Sequence, residues 1–279
     1  MREPILMDDG FLSAVHEARQ HPGFRLWWLG QSGFLLQWNG RHALLDPYLS
    51  DSVTKKYQDT DKPHVRMTRR VVDPARLDFI DVVTSSHNHT DHLDAGTLLP
   101  LMAANPAAAL IIPEANRTFV AERLGCDASR PIGCDDGATI SAGSFMFHGI
   151  ASAHEQVDHD ELGRVKYLGY VVEFGGFRVY HSGDTMLYDG IVERLKPWRV
   201  DVALLPINGA SPERRVAGNL NGREAAGLAH AIGARLVVPC HYEMFTFNTA
   251  SPEEFVAECA RLEQECRVLC NGEGLEYGA

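Results

Sequence analysis

Residues 83–96, VTSSHNHTDHLDAG, place four side chains that can bind metal within six positions. His87, His89 and His92 offer imidazole nitrogens, and Asp91 offers a carboxylate. Imidazole suits zinc and iron, whereas carboxylate suits harder ions such as manganese. In an extended segment His87 and His89 point to the same side and can bind one ion. The H-x-H-x-D-H spacing therefore predicts a large part of a metal site.

Three further candidate ligands stand at the ends of predicted strands. His154 follows FHGIASA, Asp184 lies in VYHSGDT, and His241 ends LVVPCH. Each has an ordinary explanation when taken alone, because a strand-end histidine is usually solvated and Asp184 could belong to a turn with Gly183. Together with the four residues of the H-x-H-x-D-H motif they make seven ligands, and two ions need about six or seven. Aspartate can also bridge two ions, since its carboxylate has two oxygens.

The elements that must position these side chains form a regular pattern. Three apolar runs with intervening glycines, FRLWWLG, GFLLQWNG and RHALLDPYLSD, predict a meander of strands. Strand–helix alternation then closes each half of the chain, so we expect two sheets, each covered by helices on its outer face. The absence of repeats and Pro/Gly-rich linkers favours a single domain over residues 1–279. The predicted helices span residues 11–20, 94–105, 114–125, 221–233 and 252–266.

Composition limits the partners. A net charge of −11 argues against nucleic acid, which requires a basic surface. No apolar run approaches the roughly 18 residues of a membrane span, and the N-terminus lacks the apolar region of a secretory signal. None of the six cysteines forms a C-x-x-C pair. We therefore expect a cytoplasmic protein with a small-molecule substrate, no membrane partner and a possible homo-oligomeric state.

With these residues in place, the chain resembles the metallo-β-lactamase-fold hydrolases, whose signature is H-x-H-x-D-H followed by a distant His, Asp and His. The resemblance extends from WWLGQSGFLL to VVPCHYEMF and implies an αβ/βα four-layer sandwich with metals at one edge. Within that superfamily the segments SSHNHTDHLD and LVVPCHYEMF look most like the L-ascorbate-6-phosphate lactonase group. One departure from that group is His154, which matches the general two-metal pattern instead.

The resemblance implies a role for each ligand. It assigns His87, His89 and His154 to one ion, assigns Asp91, His92 and His241 to the other, and makes Asp184 the bridge. Asp46, in LLDPYLSD, matches an aspartate that supports a ligand histidine and fixes its tautomer. A turn before Pro47 is an equally good explanation for this aspartate. The implied cofactors are two divalent ions, zinc or manganese, with iron possible.

Such a site predicts hydrolysis. Two ions can lower the pKa of a water between them, and the resulting hydroxide attacks a carbonyl or phosphoryl centre. Asp91 could orient that hydroxide or take its proton, which makes it the candidate catalytic residue. The expected substrate is small and possibly anionic, plausibly a lactone or a phosphorylated sugar acid.

The polar segment from Asp51 to Arg70 concentrates positive charge in an otherwise acidic protein. We predict that one or two of Arg66, Arg69 and Arg70 face the metals and bind an anionic substrate. The alternative is a solvated loop. His181, beside Asp184, could support a ligand or simply pack. The other histidines read as ordinary surface or core residues: His16, His21, His42, His64, His148, His159 and His230.

Two other functions fit the same ligands. One is a metal-dependent phosphodiesterase of the N-acyl-phosphatidylethanolamine phospholipase D type, which would favour an apolar pocket and membrane association. The other is a metal-binding or sensory protein without activity. A nuclease would need a basic surface, and an exported β-lactamase would need a signal sequence.

Overall fold

The computed structural model describes residues 1–20 and 22–278, which leaves His21 outside the described part of the chain. Two sheets contain all the strands described. The strands are β1 (Phe24–Gly30), β2 (Gly33–Trp38), β3 (Arg41–Leu45), β4 (Val82–Thr84), β5 (Ala109–Pro113), β6 (Ile132–Cys134), β7 (Thr139–Ala142), β8 (Phe145–Ala151), β9 (Leu168–Phe174), β10 (Phe177–His181), β11 (Val202–Pro206), β12 (Leu236–Cys240) and β13 (Gly274–Tyr277). The helices are α1 (Asp8–Glu17), α2 (Ser52–Tyr57), α3 (Ala95–Ala104), α4 (Arg117–Leu124), α5 (Ile191–Leu195), α6 (Gly222–Ile232) and α7 (Glu253–Leu262).

The two sheets combine antiparallel meanders with parallel segments. The first sheet has the strand order β13-β1-β2-β3-β4-β5-β6, and the second has the order β12-β11-β10-β9-β8-β7. Strands β3 to β6 run parallel to one another, as do β10, β11 and β12. Parallel neighbours end at the same edge of their sheet. This edge therefore collects the segments that follow several strands.

The apolar side chains of the first sheet divide between its two faces. Alternate residues of β1, such as Leu26 and Trp28, pack into a core shared with the second sheet. Their neighbours Trp27 and Leu29 pack with side chains of α1, α3 and α4 on the opposite face. Alternation of this kind is what a strand buried on both faces produces. The result is the predicted αβ/βα sandwich, with two sheets flanked by helices.

Sequence patterns located most elements and missed others. The meander at the start is present, since β1, β2 and β3 pair antiparallel in chain order. The first helix begins earlier than expected, at Asp8, and its α-helical part ends at Glu17, after which a 3-10 helix over Ala18–Gln20 continues to the predicted end. The helix predicted to reach residue 266 ends at Leu262, because Glu263 adopts a left-handed backbone with φ of 55°. Strand β13 was not predicted, and it pairs with β1 at the edge of the first sheet.

The segment from Asp51 to Arg70 is not a plain loop. It begins with the helix α2, whose Val53 is buried against Tyr48 and Phe245.

Within the described residues, no helix is both long enough and apolar enough to cross a membrane.

Candidate metal centre

The predicted ligands meet where strand ends from both sheets come together. His87 to His92 follow β4, and Asp184 and His241 follow β10 and β12. A backbone hydrogen bond of 2.9 Å from Leu168 N to Ser86 O joins the two sheets beside the motif. The first sheet contributes the four ligands of the motif, which follow β4. The second sheet contributes three ligands, His154, Asp184 and His241, which follow β8, β10 and β12. Neither sheet alone could therefore form the site.

The seven side chains lie within metal-binding distance of one another in three overlapping groups. In each group the candidate ligand atoms all lie within 4.8 Å of one another. The groups are His87–His89–His154, Asp91–His92–His241 and His87–His92–Asp184. The first two groups correspond to the two ligand sets that the resemblance implied. The third group contains Asp184 and one histidine from each of those sets.

Asp184 lies between the two ligand sets. Its Oδ1 is 3.2 Å from His92 Nε2, and its Oδ2 is 3.6 Å from His154 Nε2. The same Oδ2 is 3.5 Å from His241 Nε2. One carboxylate thus reaches histidines of both sets, which is the position that a bridging ligand requires.

The chemistry of the donor atoms fits a metal. His87 Nε2, His92 Nε2 and Asp184 Oδ1 are buried and make no hydrogen bond of good geometry, although His92 Nε2 and Asp184 Oδ1 lie 3.2 Å apart. Buried polar atoms without a partner cost about 1–3 kcal/mol each, so native proteins rarely keep them without a reason. Because all three atoms belong to one ligand group, a bound cation would satisfy them together.

Asp46 supports the site through its contacts with neighbouring side chains. His92 Nδ1 donates to Asp46 Oδ2 over 2.7 Å, which turns His92 Nε2 towards the other ligands. Asp46 also accepts hydrogen bonds from the Ser86 amide at 3.0 Å and from Thr84 Oγ1 at 3.1 Å. These contacts agree with the supporting role that the resemblance implied. A carboxylate in this position fixes the imidazole tautomer and raises its basicity.

Two further contacts orient ligands. His154 Nδ1 donates to the Gly218 carbonyl over 2.8 Å, which leaves Nε2 to face His89, whose Nδ1 is 3.2 Å away. Gln31 Nε2 donates to Asp91 Oδ2 over 2.8 Å and lies 2.9 Å from His241 Nε2. Gln31 was not predicted, because a glutamine in a turn between two strands carries no metal-binding pattern.

The acids and imidazoles of the cluster shift one another's pKa values. Burial alone would raise the pKa of Asp91 and of Asp184, but the neighbouring imidazoles hold both well below the usual range. Burial likewise opposes the charge of His241, yet Asp184 and Asp91 raise its pKa to about 9. Burial and the nearby histidines lower the pKa of His89 to about 4, so its imidazole is neutral and ready to bind metal.

A cavity of 250 Å³ opens onto this cluster. His89, Asp91, His154, Asp184 and His241 line its inner end. The rest of its wall combines uncharged polar, positively charged, apolar and aromatic side chains, which are Gln31, Thr90, Asn248, Lys56, Lys62, Arg215, Val53, Tyr57, His64, Val216, Ala217 and Phe245. A substrate that enters this cavity would therefore meet the ligand cluster.

The predicted substrate arginines require a correction, because none of the three lines this cavity. Arg66 is buried, donates to the carbonyl oxygens of Thr68 and Ser50, and stacks over Tyr48 at 5.5 Å. Arg69 and Arg70 lie at the surface and pair with Glu3 and Asp73, respectively. Their side chains line a separate surface pocket that also contains Met1 and Asp8.

Other histidines differ from expectation in one case. His64 is expected to be an ordinary surface or core residue; it is buried, as a core residue would be, and it also forms part of the cavity wall between Tyr57 and Phe245. Its Nδ1 donates to the Lys62 carbonyl over 2.7 Å. His181 packs at the base of the site, where its Nε2 donates to the Ser32 carbonyl over 2.8 Å.

Comparisons with known proteins agree with this fold. The family described as a beta-lactamase superfamily domain matches residues 25–241 of this chain. The structure of Igni18, a metallo hydrolase from Ignicoccus hospitalis KIN4/I, superposes with a TM-score of 0.66 at 24% identity and covers 92% of this chain and 99% of its own. The metallo-beta-lactamase fold protein YhfI from Bacillus subtilis gives a TM-score of 0.65 at 19% identity over 92% and 100% of the two chains.

The fold and ligand cluster thus define a protein of the metallo-β-lactamase fold. A curated relative from Rubrobacter xylanophilus, described as a UPF0173 metal-dependent hydrolase, is 30% identical over 263 residues, which cover 92% of this chain and 97% of the relative. The chain therefore belongs to the β-lactamase superfamily and, within it, to the family of UPF0173 metal-dependent hydrolases.

Proposed function

We propose that this chain hydrolyses a small molecule at a centre of two divalent ions, zinc or manganese, with iron as a third possibility. The observation that carries the proposal is the convergence of seven ligand side chains, five of which line the inner end of the 250 Å³ cavity. His87, His89 and His154 would hold one ion, and Asp91, His92 and His241 would hold the other, with Asp184 between them. Bound divalent ions would supply an activated water and a Lewis acid for the electrophilic oxygen.

Asp91 is the proposed catalytic residue. Its side chain is 19% exposed, more than those of His92 and Asp184, so it borders the space that substrate would enter. Gln31 Nε2 donates a hydrogen bond to Asp91 Oδ2, whereas Asp91 Oδ1 accepts no hydrogen bond from the described residues. Oδ1 can therefore accept the proton of an attacking water while Gln31 holds the carboxylate in place.

The proposed substrate is a lactone or a phosphorylated sugar acid, as the resemblance to the L-ascorbate-6-phosphate lactonase group suggests. The cavity volume supports a compact molecule, because pockets for drug-sized ligands measure roughly 300–1,000 Å³. A phospholipid with two acyl chains would need more room. A purely metal-binding role would not need a cavity that opens onto the ligands.

A screen of metal-loaded protein tests this proposal. The protein is loaded separately with zinc and manganese and offered lactones, phosphodiesters and thioesters, while bound metal is measured by mass spectrometry. We expect lactone hydrolysis by the wild type, and we expect His89→Ala and Asp184→Ala to lose both metal and turnover. His16→Ala, which alters an exposed histidine on α1, is the control and should retain both.

Two results would contradict the proposal in different ways. If His89→Ala and Asp184→Ala kept full metal content and turnover, the ligand assignment would be wrong. If activity were confined to phosphodiesters, the lactonase preference would be wrong while the metal centre stood.

A further inference from the structure

Three positively charged residues, Lys56, Lys62 and Arg215, line the outer part of the cavity. Lys56 and Arg215 are exposed and Lys62 is half-buried, whereas the metal ligands lie deeper. The only carboxylates among the described lining residues are Asp91 and Asp184, which belong to the ligand cluster. The entrance is therefore positively charged although the whole chain carries a net charge of −11.

Two of these cations also hold neighbouring segments together. Arg215 donates to the carboxylate of Asp61, and Lys62 Nζ donates to the Arg215 carbonyl oxygen. Asp61 neutralises the charge of Arg215. The bond to this uncharged carbonyl fixes Lys62 beside the cavity, and Asp61, whose pKa is lowered mainly by Arg215 and less by Lys62, leaves most of the Lys62 charge available.

Among the three cavity cations, Lys56 makes a direct contact with the metal-binding motif. Its Nζ donates to Thr90 Oγ1 over 3.2 Å, and Thr90 lies between the ligands His89 and Asp91 in the chain. The same Nζ lies 5.0 Å from the centre of the Tyr57 ring. No ion pair joins Lys56 to a carboxylate in the described part of the chain, so its charge is available to a ligand.

Apolar side chains share the cavity wall with these two lysines. Val53 and Tyr57 lie on the same helix as Lys56, and Phe245 packs against Val53 in a small buried cluster. An anion held beside such a wall would be less hydrated than one at an open surface, which strengthens its attraction to an ammonium group.

We infer that Lys56 and Lys62 form an anion-binding subsite at the cavity entrance. The substrate is then a compact ester or lactone with a second, unreactive carboxylate or phosphate group. The ammonium groups bind that group while the reacting carbonyl faces the ligand cluster. This inference rests on the proposed hydrolytic function and adds the class of substrate and the residues that select it.

Adjacent lysines on α2 provide a matched pair of variants. Lys56 lines the cavity, whereas Lys55 lines the separate pocket near Arg66 and Arg69. Lys56→Met and Lys55→Met remove the same charge from neighbouring positions and keep an apolar side chain of similar length. Any difference between them therefore reports the subsite and not the net charge of the protein.

The first experiment measures binding to metal-loaded protein. Succinate and inorganic phosphate are titrated calorimetrically at low ionic strength, where screening is weak. We expect Lys56→Met to raise the Kd of at least one anion roughly three- to tenfold, the effect of losing one charged hydrogen bond at a partly exposed site. Lys55→Met should match the wild type. Equal Kd values in all three proteins would overturn the subsite, and the anion affected distinguishes carboxylate from phosphate recognition.

The second experiment compares two esters with the same leaving group, 4-nitrophenyl acetate and mono-4-nitrophenyl succinate. We expect Lys56→Met to raise KM for the succinate ester roughly three- to tenfold more than KM for the acetate ester, whereas Lys55→Met should match the wild type on both esters. An equal effect on both esters would overturn the inference. If the wild type hydrolysed neither ester, hydrolysis of simple esters would be excluded, and the binding experiment would still decide the subsite.

Discussion

Single residues of this site are held in unusual backbone conformations. Gln31, Asp46 and His241 all have left-handed φ angles, of 50°, 42° and 60°. Such conformations are uncommon for residues other than glycine and cluster at functional sites, where the surrounding structure maintains them. These backbone conformations and the nearby buried atoms without partners both lower the stability of the folded chain. Their clustering here indicates that the positions of the ligands require them.

Asp46 allows a test at this scale, because it contacts His92 and is absent from the three ligand groups. Asparagine tolerates the left-handed backbone, so Asp46→Asn removes the charge without straining the chain. We predict roughly 10- to 100-fold weaker metal affinity, measured by competition with a chromophoric chelator. The control is Asp81→Asn, which alters another strand-edge aspartate that binds the His42 amide. Equal affinity in both variants would show that Asp46 does not support the metal.

At the scale of elements, the site depends on tight turns at the ends of strands. Asp184 follows β10 through Gly183, whose φ is 59°. A Cβ atom on Gly183 would lie 2.5 Å from Ser86 Cβ and 2.6 Å from Ser86 Oγ. Ser86 in turn contacts Asp46 and His87. The turn after β10 and the segment after β4 are therefore packed too closely for any side chain at this glycine.

Gly183→Ala should accordingly disturb both segments. We predict a loss of bound metal and a fall in unfolding free energy larger than the roughly 1–2 kcal/mol that a left-handed alanine costs. Gly125→Ala is the matched control, because Gly125 has a φ of 62° and no atom lies within 4 Å of its added Cβ. It should show the backbone cost alone with full metal content. Metal analysis and urea unfolding of both variants measure the difference, and similar values would argue against close packing at Gly183.

At the scale of the whole molecule, the fold surrounds some polar groups outside the metal centre. Gln37 Nε2, on β2, donates both to the Val15 carbonyl of α1 and to His42 Nε2 on β3. His42 must be neutral to accept that hydrogen bond. Burial, followed by the charge of Arg19, lowers the pKa of His42 to about 4.

This histidine predicts a loss of stability in mild acid. The unfolded chain takes up a proton near pH 6.5, whereas folded His42 does so only near pH 4, so the folded state loses stability as the pH falls between these values. The loss from this group should reach roughly 2 kcal/mol at pH 5. His42→Gln cannot titrate and should show a flatter dependence on pH.

Urea unfolding between pH 7.5 and pH 5 measures this effect, with EDTA present so that metal release does not contribute. His16→Gln, at an exposed position on α1, is the control and should follow the wild type. Parallel pH profiles for the wild type and His42→Gln would contradict the prediction.

The sequence by itself determined the fold class and the identity of the candidate ligands. Apolar runs that end in His or Asp predict strands with polar tips, and the spacing of His87, His89, Asp91 and His92 is too dense for an ordinary turn. These features are local, so they can be read without coordinates. The single domain, the cytoplasmic location and the possible homo-oligomer stay predictions.

Only the tertiary structure decided which cations face the ligands. Arg66 was a reasonable candidate from its charge, yet it is buried against Tyr48, whereas Lys56 faces the cavity. Adjacent Lys55 and Lys56 are equivalent in sequence and line different pockets. Arg215 reaches the same entrance from 153–154 residues away through its contacts with Lys62 and Asp61. Such contacts depend on how two sheets and their loops pack together, and a local pattern of residues carries no record of that packing.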